Sequence, residues 1–225
     1  MNQGNPETPI ARSVQDLLKS CLSERRLARY APAAEDDDVC VADLYLWNCD
    51  LCESFFMPLH MAEITCRNTI HSALLFRGTC WYENQTFLGL LDGNRRSELE
   101  KALADERAQH GDTADGHHLV SALTLGVWEH LTAKRFERFL FPKGIQKNFR
   151  HAPWQKKRED LHGLIESVRR WRNRIAHHNA IFDKGPSAKY QDALELISWS
   201  SPALSHWVAT GGRVSQTIND RPRRA

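Results

Sequence analysis

Apolar residues recur at helical spacing along most of the chain. The longest such segment, about 154–182, places them at Leu161, Leu164, Ile165, Val168, Trp171 and Ile175. This spacing puts all six residues on one face of an α-helix. Shorter segments with the same periodicity cover about 11–29, 39–57, 58–78, 94–109, 118–140 and 187–200, and Pro202 opens a short last helix. No segment alternates apolar and polar residues as a half-buried strand would, so the pattern predicts an all-α fold, a helical bundle.

Breaker residues mark where the predicted helices begin and end. Pro58 suits the first turn of a helix that Gly78 ends, and Asp38 is placed to cap the helix that follows the acidic cluster 35–38. The segment from Cys80 to Gly93 is predicted as a loop with aromatic anchors. We predict a disordered N-terminus over 1–10, a single all-α domain over 11–210 and a flexible basic tail over 211–225.

Composition places the chain among soluble globular proteins. Its 225 residues are 41% hydrophobic and 26% charged, and they suffice to bury a sizeable core. No apolar run approaches the roughly 20 residues that span a bilayer, and the first residues do not resemble a secretory signal. We therefore expect a cytoplasmic protein with no membrane partner.

The six cysteines all lie in the first 80 residues. In a reducing compartment they are expected to be free, buried thiols. Cys49 and Cys52 form a C-x-x-C pair, but a zinc site usually needs a second pair, and none is present. We predict no metal site and no cofactor, and we interpret the pair as small apolar residues on a helix.

The net charge of +2 conceals a basic region in the second half of the chain. Between residues 134 and 158 there are nine Lys or Arg residues and one acid, Glu137. Like charges held together favour an anionic partner, and we expect nucleic acid, specifically RNA. The predicted RNA-binding residues are Lys134, Arg135, Arg138, Lys143, Lys147, Arg150, Lys156, Lys157 and Arg158, together with Arg174.

An arginine interrupts the apolar stripe of the longest predicted helix. On a helical wheel of about 100° per residue, Arg172 falls inside the stripe, between Leu161 and Ile165. A charged side chain aimed at a core is costly unless it is paired or lines a cleft. Two interpretations stay open: Arg172 lines a substrate cleft, or it pairs with an acid such as Glu63 on another helix.

Asn173 and two histidines complete a polar cluster at the end of that helix. Asn173 and His177 are four residues apart on one edge of the stripe, and His178 lies on the other edge. Histidine can transfer the protons that RNA cleavage by the ribose 2′-hydroxyl requires, and arginine can bind the phosphate oxygens. Such cleavage needs no metal. An R-x4-H spacing alone is a weak signal, and a half-buried, hydrogen-bonded His177 would explain it equally.

Three sequence blocks together resemble the Abi-like (abortive infection) family of the HEPN superfamily. Residues Arg172 to His178, RNRIAHH, are similar to its R-N-x-x-A-H-H signature. Glu63 to His71, EITCRNTIH, followed by Gly78 and Trp81-Tyr82, resembles its upstream block, and Leu123 to Leu131, LTLGVWEHL, resembles its L-T-F-G-x-W block. The resemblance covers about residues 40–182.

The resemblance implies an all-α fold, a homodimer with a composite cleft and a metal-independent endoribonuclease acting in phage defence or as a toxin. The catalytic residues would be Arg172, Asn173 and His177, with His178, Arg67 and Asn68 in support. An antitoxin, a non-coding RNA or another defence protein would be a further partner. Arg67 and Asn68 fit an internal hydrogen-bonded anchor equally well.

Two other functions stay open. A non-catalytic RNA-binding regulator would use the basic region, and a subunit of a defence complex would contact another protein instead.

Overall fold

The computed structural model describes residues 9–224, and no strand occurs among them. The predicted all-α fold is confirmed. The helices are α1 Pro9–Cys21, α2 Glu24–Leu27, α3 Ala31–Asp36, α4 Val41–Ser54, α5 Phe56–Leu75, α6 Gln85–Leu90, α7 Gly93–His110, α8 Gly116–Ala122, α9 Leu125–His130, α10 Glu137–Leu140, α11 Arg158–Ala176, α12 Pro186–Ser200, α13 Pro202–Gly211 and α14 Val214–Asn219. Short 3-10 turns lie at Trp81–Glu83, Gly111–Thr113, Lys134–Phe136 and Ile145–Lys147. The predicted disorder of 1–10 falls largely on residues 1–8, which lie outside the described residues.

The described chain forms two compact units, each built from separate segments. The first unit contains residues 9–56, 174–187 and 212–224, and the second contains 57–173 and 188–211. The single domain over 11–210 stays a prediction, because compact units can belong to one domain. Helical periodicity reveals which face of a helix is buried but not which distant segment covers it, so this division is not readable from the sequence.

Helix α4 carries much of the core of the first unit. Leu44 and Leu51 are fully buried on it. Helix α14 packs against α4, with Val214 fully buried and the Trp47 indole N–H donating to the Thr217 carbonyl at 2.6 Å. Residues 214–219, which we predicted as part of a flexible tail, are therefore an ordered helix. Their pattern contains too few apolar positions to predict one.

Helices α5 and α11 supply buried faces to the second unit. Pro58 lies in the first turn of α5, as predicted. On α11 five residues of the predicted stripe are buried, which are Leu161, Leu164, Ile165, Val168 and Trp171, and the sixth, Ile175, is half-buried. The aromatic anchors Trp81, Tyr82 and Phe87 are buried as expected, although a 3-10 turn and α6 replace the predicted loop there.

Side-chain caps divide the segment that periodicity predicted as one helix over 118–140. Asp115 and His118 form a capping box at the start of α8. Glu98 then accepts from the Thr124 hydroxyl at 2.6 Å, at the break between α8 and α9.

The acidic cluster 35–38 also differs from the prediction. Glu35 and Asp36 belong to α3, and Asp38 takes a φ of 53° and does not cap α4.

Candidate functional site

Glu63 joins two arginines in the second unit. Its carboxylate accepts from Arg172 Nε at 3.2 Å and from Arg172 Nη2 at 3.1 Å, which is a bidentate pair. The same carboxylate accepts from Arg67 Nη2, one turn along α5. Pairing of Arg172 with Glu63, one of the two interpretations left open by the sequence, is therefore confirmed. The carboxylate is about 15% exposed, so water screens the cluster only partly.

Arg172 keeps donors for a ligand despite this pairing. Its Nη1 donates to the Asn173 side-chain oxygen at 3.2 Å, so three of its five N–H groups are used within the described residues and two are left. Its side chain is 39% exposed. Asn173 and Glu63 together orient the guanidinium, and one N–H group on each of Nη1 and Nη2 is left over.

Arg67 and Asn68 have different surroundings. Arg67 is partly buried and also donates to the Val120 carbonyl at 3.4 Å, which fits the anchor interpretation. Burial lowers the pKa of Arg67 from its usual value, and Glu63 opposes that shift. Asn68 is exposed and lines the same cavity of about 450 Å³ as Arg67, with His60, His71 and His117 among the other lining residues.

His71 is a buried histidine that the sequence analysis did not single out. It is 4% exposed, and its Nε2 has no hydrogen-bond partner among the described residues. Burial, with a smaller contribution from His117, lowers its pKa to about 4. Gly116 packs against it so closely that a Cβ there would lie 3.1 Å from His71 Nε2 and 2.6 Å from Trp81 Nε1.

The C-terminus of α11 is closed by a Schellman motif in the first unit. His178 N donates to the Ile175 carbonyl at 2.8 Å and Asn179 N donates to the Arg174 carbonyl at 3.0 Å. His178 occupies the left-handed position of the motif, with a φ of 54°, where glycine is usual. Arg174, predicted to bind RNA, donates instead to the Ala180 carbonyl at 3.0 Å and stabilises this turn.

His177 is presented to solvent by the same turn. It is exposed, and its side chain makes no hydrogen bond or ion pair with any residue in the described range. The half-buried alternative for His177 does not fit this environment. An imidazole without an intramolecular partner is available for proton transfer to or from a bound molecule.

Arginines of the N-terminal region surround the His178 turn, and the sequence analysis missed them. Arg26 Nη1 donates to the His178 carbonyl at 2.7 Å, and Arg29 forms a 3.1 Å ion pair with Asp183. Arg25, Arg26, Arg29 and His178 share the lining of a cavity of about 420 Å³. The periodicity placed these arginines in one predicted helix over about 11–29, whereas the structure has a separate short helix, α2, at Glu24–Leu27.

The basic region exposes most of its predicted RNA-binding side chains. Seven of the nine are exposed: Lys134, Arg135, Arg138, Lys143, Lys147, Arg150 and Lys157. Lys156 is half-buried near Asp160, at 3.6 Å. Arg158 is buried and donates to the Thr132 carbonyl at 2.7 Å, so it is unavailable to RNA and stabilises the fold instead.

The cysteine pair has no features of a reactive site. All six cysteines are free thiols, as expected, but of the six only Cys66 is buried, so the expectation that they are buried is wrong for the other five. Partial burial raises the pKa of Cys52 to about 11. Within residues 9–224, no group of three or more His, Cys, Asp or Glu side chains could hold a metal ion.

The predicted catalytic residues lie on both sides of the division between the units. Arg172 and Asn173 belong to the second unit, whereas Arg174, His177 and His178 belong to the first. No family model matches the chain, and no curated protein and no solved structure is significantly similar to it. Among the helices of residues 9–224, none is long and apolar enough to cross a membrane.

Proposed function

We propose that the protein is a metal-independent endoribonuclease. The ribose 2′-hydroxyl attacks the adjacent phosphorus, and the bond from that phosphorus to the 5′ oxygen breaks. One His177 takes the proton of the 2′-hydroxyl, the His177 of a second copy protonates the leaving 5′ oxygen, and Arg172 binds the phosphate oxygens. Asn173 orients the Arg172 guanidinium, consistent with the 3.2 Å hydrogen bond between them. The biological role we propose is abortive-infection defence or toxicity, as the resemblance to Abi-like proteins implies.

The observation that carries the proposal is the sequence from Arg172 to His178 at the end of α11, with the RNRIAHH pattern. Its two key side chains have the properties that RNA cleavage needs. His177 is exposed and has no side-chain partner among residues 9–224, and Arg172 is oriented by Glu63 while two of its N–H groups have no partner in the same range. Oriented, permanently charged donors are the main means of stabilising a phosphorane-like transition state without a metal.

A second copy of the chain would complete the proposed site. One chain offers one histidine of the R-x4-H pattern, whereas cleavage needs both a base and an acid. A two-fold homodimer that joins the ends of α11 would provide two of each group in one cleft. This arrangement is part of the proposal and accounts for a single motif in each chain.

The decisive experiment incubates purified wild-type and His177→Ala protein with labelled RNA in EDTA and analyses the ends of the products. We expect wild-type protein to leave 2′,3′-cyclic phosphate and 5′-hydroxyl ends. His177→Ala should be slower by at least about 100-fold, the usual contribution of a general acid or base. Arg172→Lys, which keeps the charge but loses the planar fork, should also be strongly impaired.

His206→Ala is the matched control, because His206 is also an exposed histidine but lies on α13, outside the motif. It should cleave as the wild type does. Expression of the wild-type protein should arrest growth, and expression of His177→Ala should not. Cleavage by His177→Ala at the wild-type rate, with the same ends, would exclude the assigned role.

The second candidate function is a non-catalytic RNA-binding regulator. The observation that favours it is the set of seven exposed Lys and Arg side chains between residues 134 and 157. It predicts intact RNA in every lane of the cleavage assay, together with tight binding that weakens steeply as salt is raised.

A further inference from the structure

An exposed phenylalanine lies beside cations in the second unit. Phe76 follows the C-terminus of α5 and is 70% exposed. The Lys147 ammonium is 4.5 Å from the centre of its ring. A cavity of about 440 Å³ opens here, and its lining includes Thr69, Ser72, Phe76, Lys147, Asn148 and Arg150. None of the described lining residues is acidic, so the cavity favours an anionic occupant.

The loop that forms one wall of this cavity is held in place by buried side chains and a hydrogen bond. The loop that carries Lys147 and Arg150 is anchored by two buried side chains, Ile145 and Phe149. The Gln146 amide donates to the Lys156 carbonyl at 2.7 Å and ties the two ends of the loop together. Because the loop is already ordered, a ligand would bind without a large ordering cost.

The chain beside Phe76 is also held in place. Arg77 Nε donates to the Phe139 carbonyl at 2.8 Å, and its guanidinium lies 5.1 Å from the Phe139 ring centre. Arg77 therefore ties the end of α5 to α10. The backbone under the Phe76 ring is fixed, while the ring itself stays accessible.

We propose that Phe76, Lys147 and Arg150 form a binding site for single-stranded RNA, in which an unpaired base stacks on Phe76 and the flanking phosphates bind the two cations. An exposed aromatic ring next to cations is the arrangement that binds single strands without reading their sequence. In a duplex the bases are already stacked on one another, and their faces cannot reach the ring. Asn148, Ser72 and Thr69 add hydrogen-bonding groups for the base edge or the sugar.

This inference rests on the proposed function for the identity of the ligand as RNA, but it does not depend on cleavage. It gives the basic region a role in distinguishing RNA with unpaired bases from duplex RNA. Positive charge alone would not make this distinction. A ribonuclease with this site would select unpaired segments before any chemistry takes place.

The test measures binding by fluorescence anisotropy, with the full chain carrying His177→Ala so that the RNA stays intact. The probes are a fluorescein-labelled oligouridylate of twelve nucleotides and an RNA duplex of the same length. Adding Phe76→Ala should raise the Kd for the single strand by about tenfold, which corresponds to loss of one stacked base. The Kd for the duplex should change less than about twofold, and Phe76→Tyr should bind both probes normally.

Two further variants separate stacking from charge and from general loss of apolar surface. Lys147→Ala with Arg150→Ala should weaken both probes and reduce the salt dependence of binding by about two phosphate contacts. Trp207→Ala removes another exposed aromatic ring, on α13, and should leave both Kd values unchanged.

Equal weakening of both probes by Phe76→Ala, or no change for the single strand, would overturn the stacking site. Absence of binding to either probe would overturn it too. Failure of the proposed function would be visible separately, as RNA left intact by the wild-type protein in the cleavage assay.

Discussion

At the scale of single residues, the ion pair of Glu63 with Arg172 is compatible with the proposed phosphate-binding role of Arg172. A guanidinium has five N–H groups, and a bidentate carboxylate uses only two of them. Glu63 fixes the plane of Arg172 through two such bonds, Asn173 accepts a third, and two N–H groups are left over. The pairing with Glu63 was considered as an alternative to a functional role for Arg172. It orients this arginine and still leaves N–H groups that can bind a ligand.

His71 makes the stability of the second unit dependent on pH. Its pKa is lowered to about 4 by burial, whereas an unfolded histidine titrates near about 6.5. Between these values the unfolded chain binds a proton that the folded chain does not. The contribution of His71 is thus fully present above about pH 6.5 and is lost as the pH falls toward 4.

We therefore expect the free energy of unfolding to fall by about 2–3 kcal/mol from His71 alone between pH 7 and pH 4.5. Denaturant unfolding at both pH values measures this loss. In the His71→Gln variant the loss between the two pH values should be smaller than in the wild type by about 2–3 kcal/mol. His206→Gln, at an exposed histidine, is the control and should behave as the wild type does. An equal loss in wild type and His71→Gln would contradict the assignment.

At the scale of the elements, the end of α11 illustrates what periodicity predicts and what it omits. The stripe from Leu161 to Trp171 could be predicted, because the spacing of apolar residues within one helix is enough to show which face is buried. The Schellman motif was not, because its left-handed position is filled by His178 and not by the glycine that usually marks it. Arg26 was missed because its partner, the His178 carbonyl, is a backbone atom 152 residues away.

The strained backbone of His178 gives a test that separates its structural role from a catalytic one. His178→Gly should raise the free energy of unfolding by up to about 1 kcal/mol, because glycine adopts a positive φ without steric cost. His178→Val should lower it by about 1–2 kcal/mol, since a β-branched residue is worst at this position. Denaturant unfolding gives both values.

Measurement of RNA cleavage by His178→Gly completes the comparison. His178→Gly should cleave at close to the wild-type rate, because proton transfer is assigned to His177. Loss of cleavage in a fully stable His178→Gly protein would move a chemical role to His178.

At the scale of the whole molecule, the sequence predicted the all-α class and many helices, but not how the segments are grouped. Pro58 and the stripe of α11 are local signals, and both predictions are confirmed. Helix α14 has only Val214 and Ile218 at helical spacing, and its order depends on contacts with α4. Arg172 and His177 stay predicted site residues, while the bond from Arg26 to the His178 carbonyl and the position of Phe76 beside Lys147 depend on tertiary packing.

Deletion of residues 212–225 should destabilise the first unit selectively. It removes the buried Val214, the hydrogen bond from Trp47 and the ion pair of Arg221 with Asp37 at 2.6 Å. Burial of Val214 and the Trp47 bond together contribute about 3 kcal/mol. Hydrogen exchange should accelerate in α4 while α5 and α12 keep their protection.

Gln216→Ala, at an exposed position of α14, is the control for that deletion and should exchange as the wild type does. Unchanged protection of α4 after the deletion would mean that α14 does not stabilise the first unit.

The interleaving of the two units has a consequence for synthesis on the ribosome. The segment with His177 belongs to a unit whose core also needs Val214 and Thr217, so a nascent chain cannot finish that unit until translation has passed them. Domains fold as units during synthesis. The segment that carries His177 therefore joins a finished unit only after residues 214–219 have been synthesised.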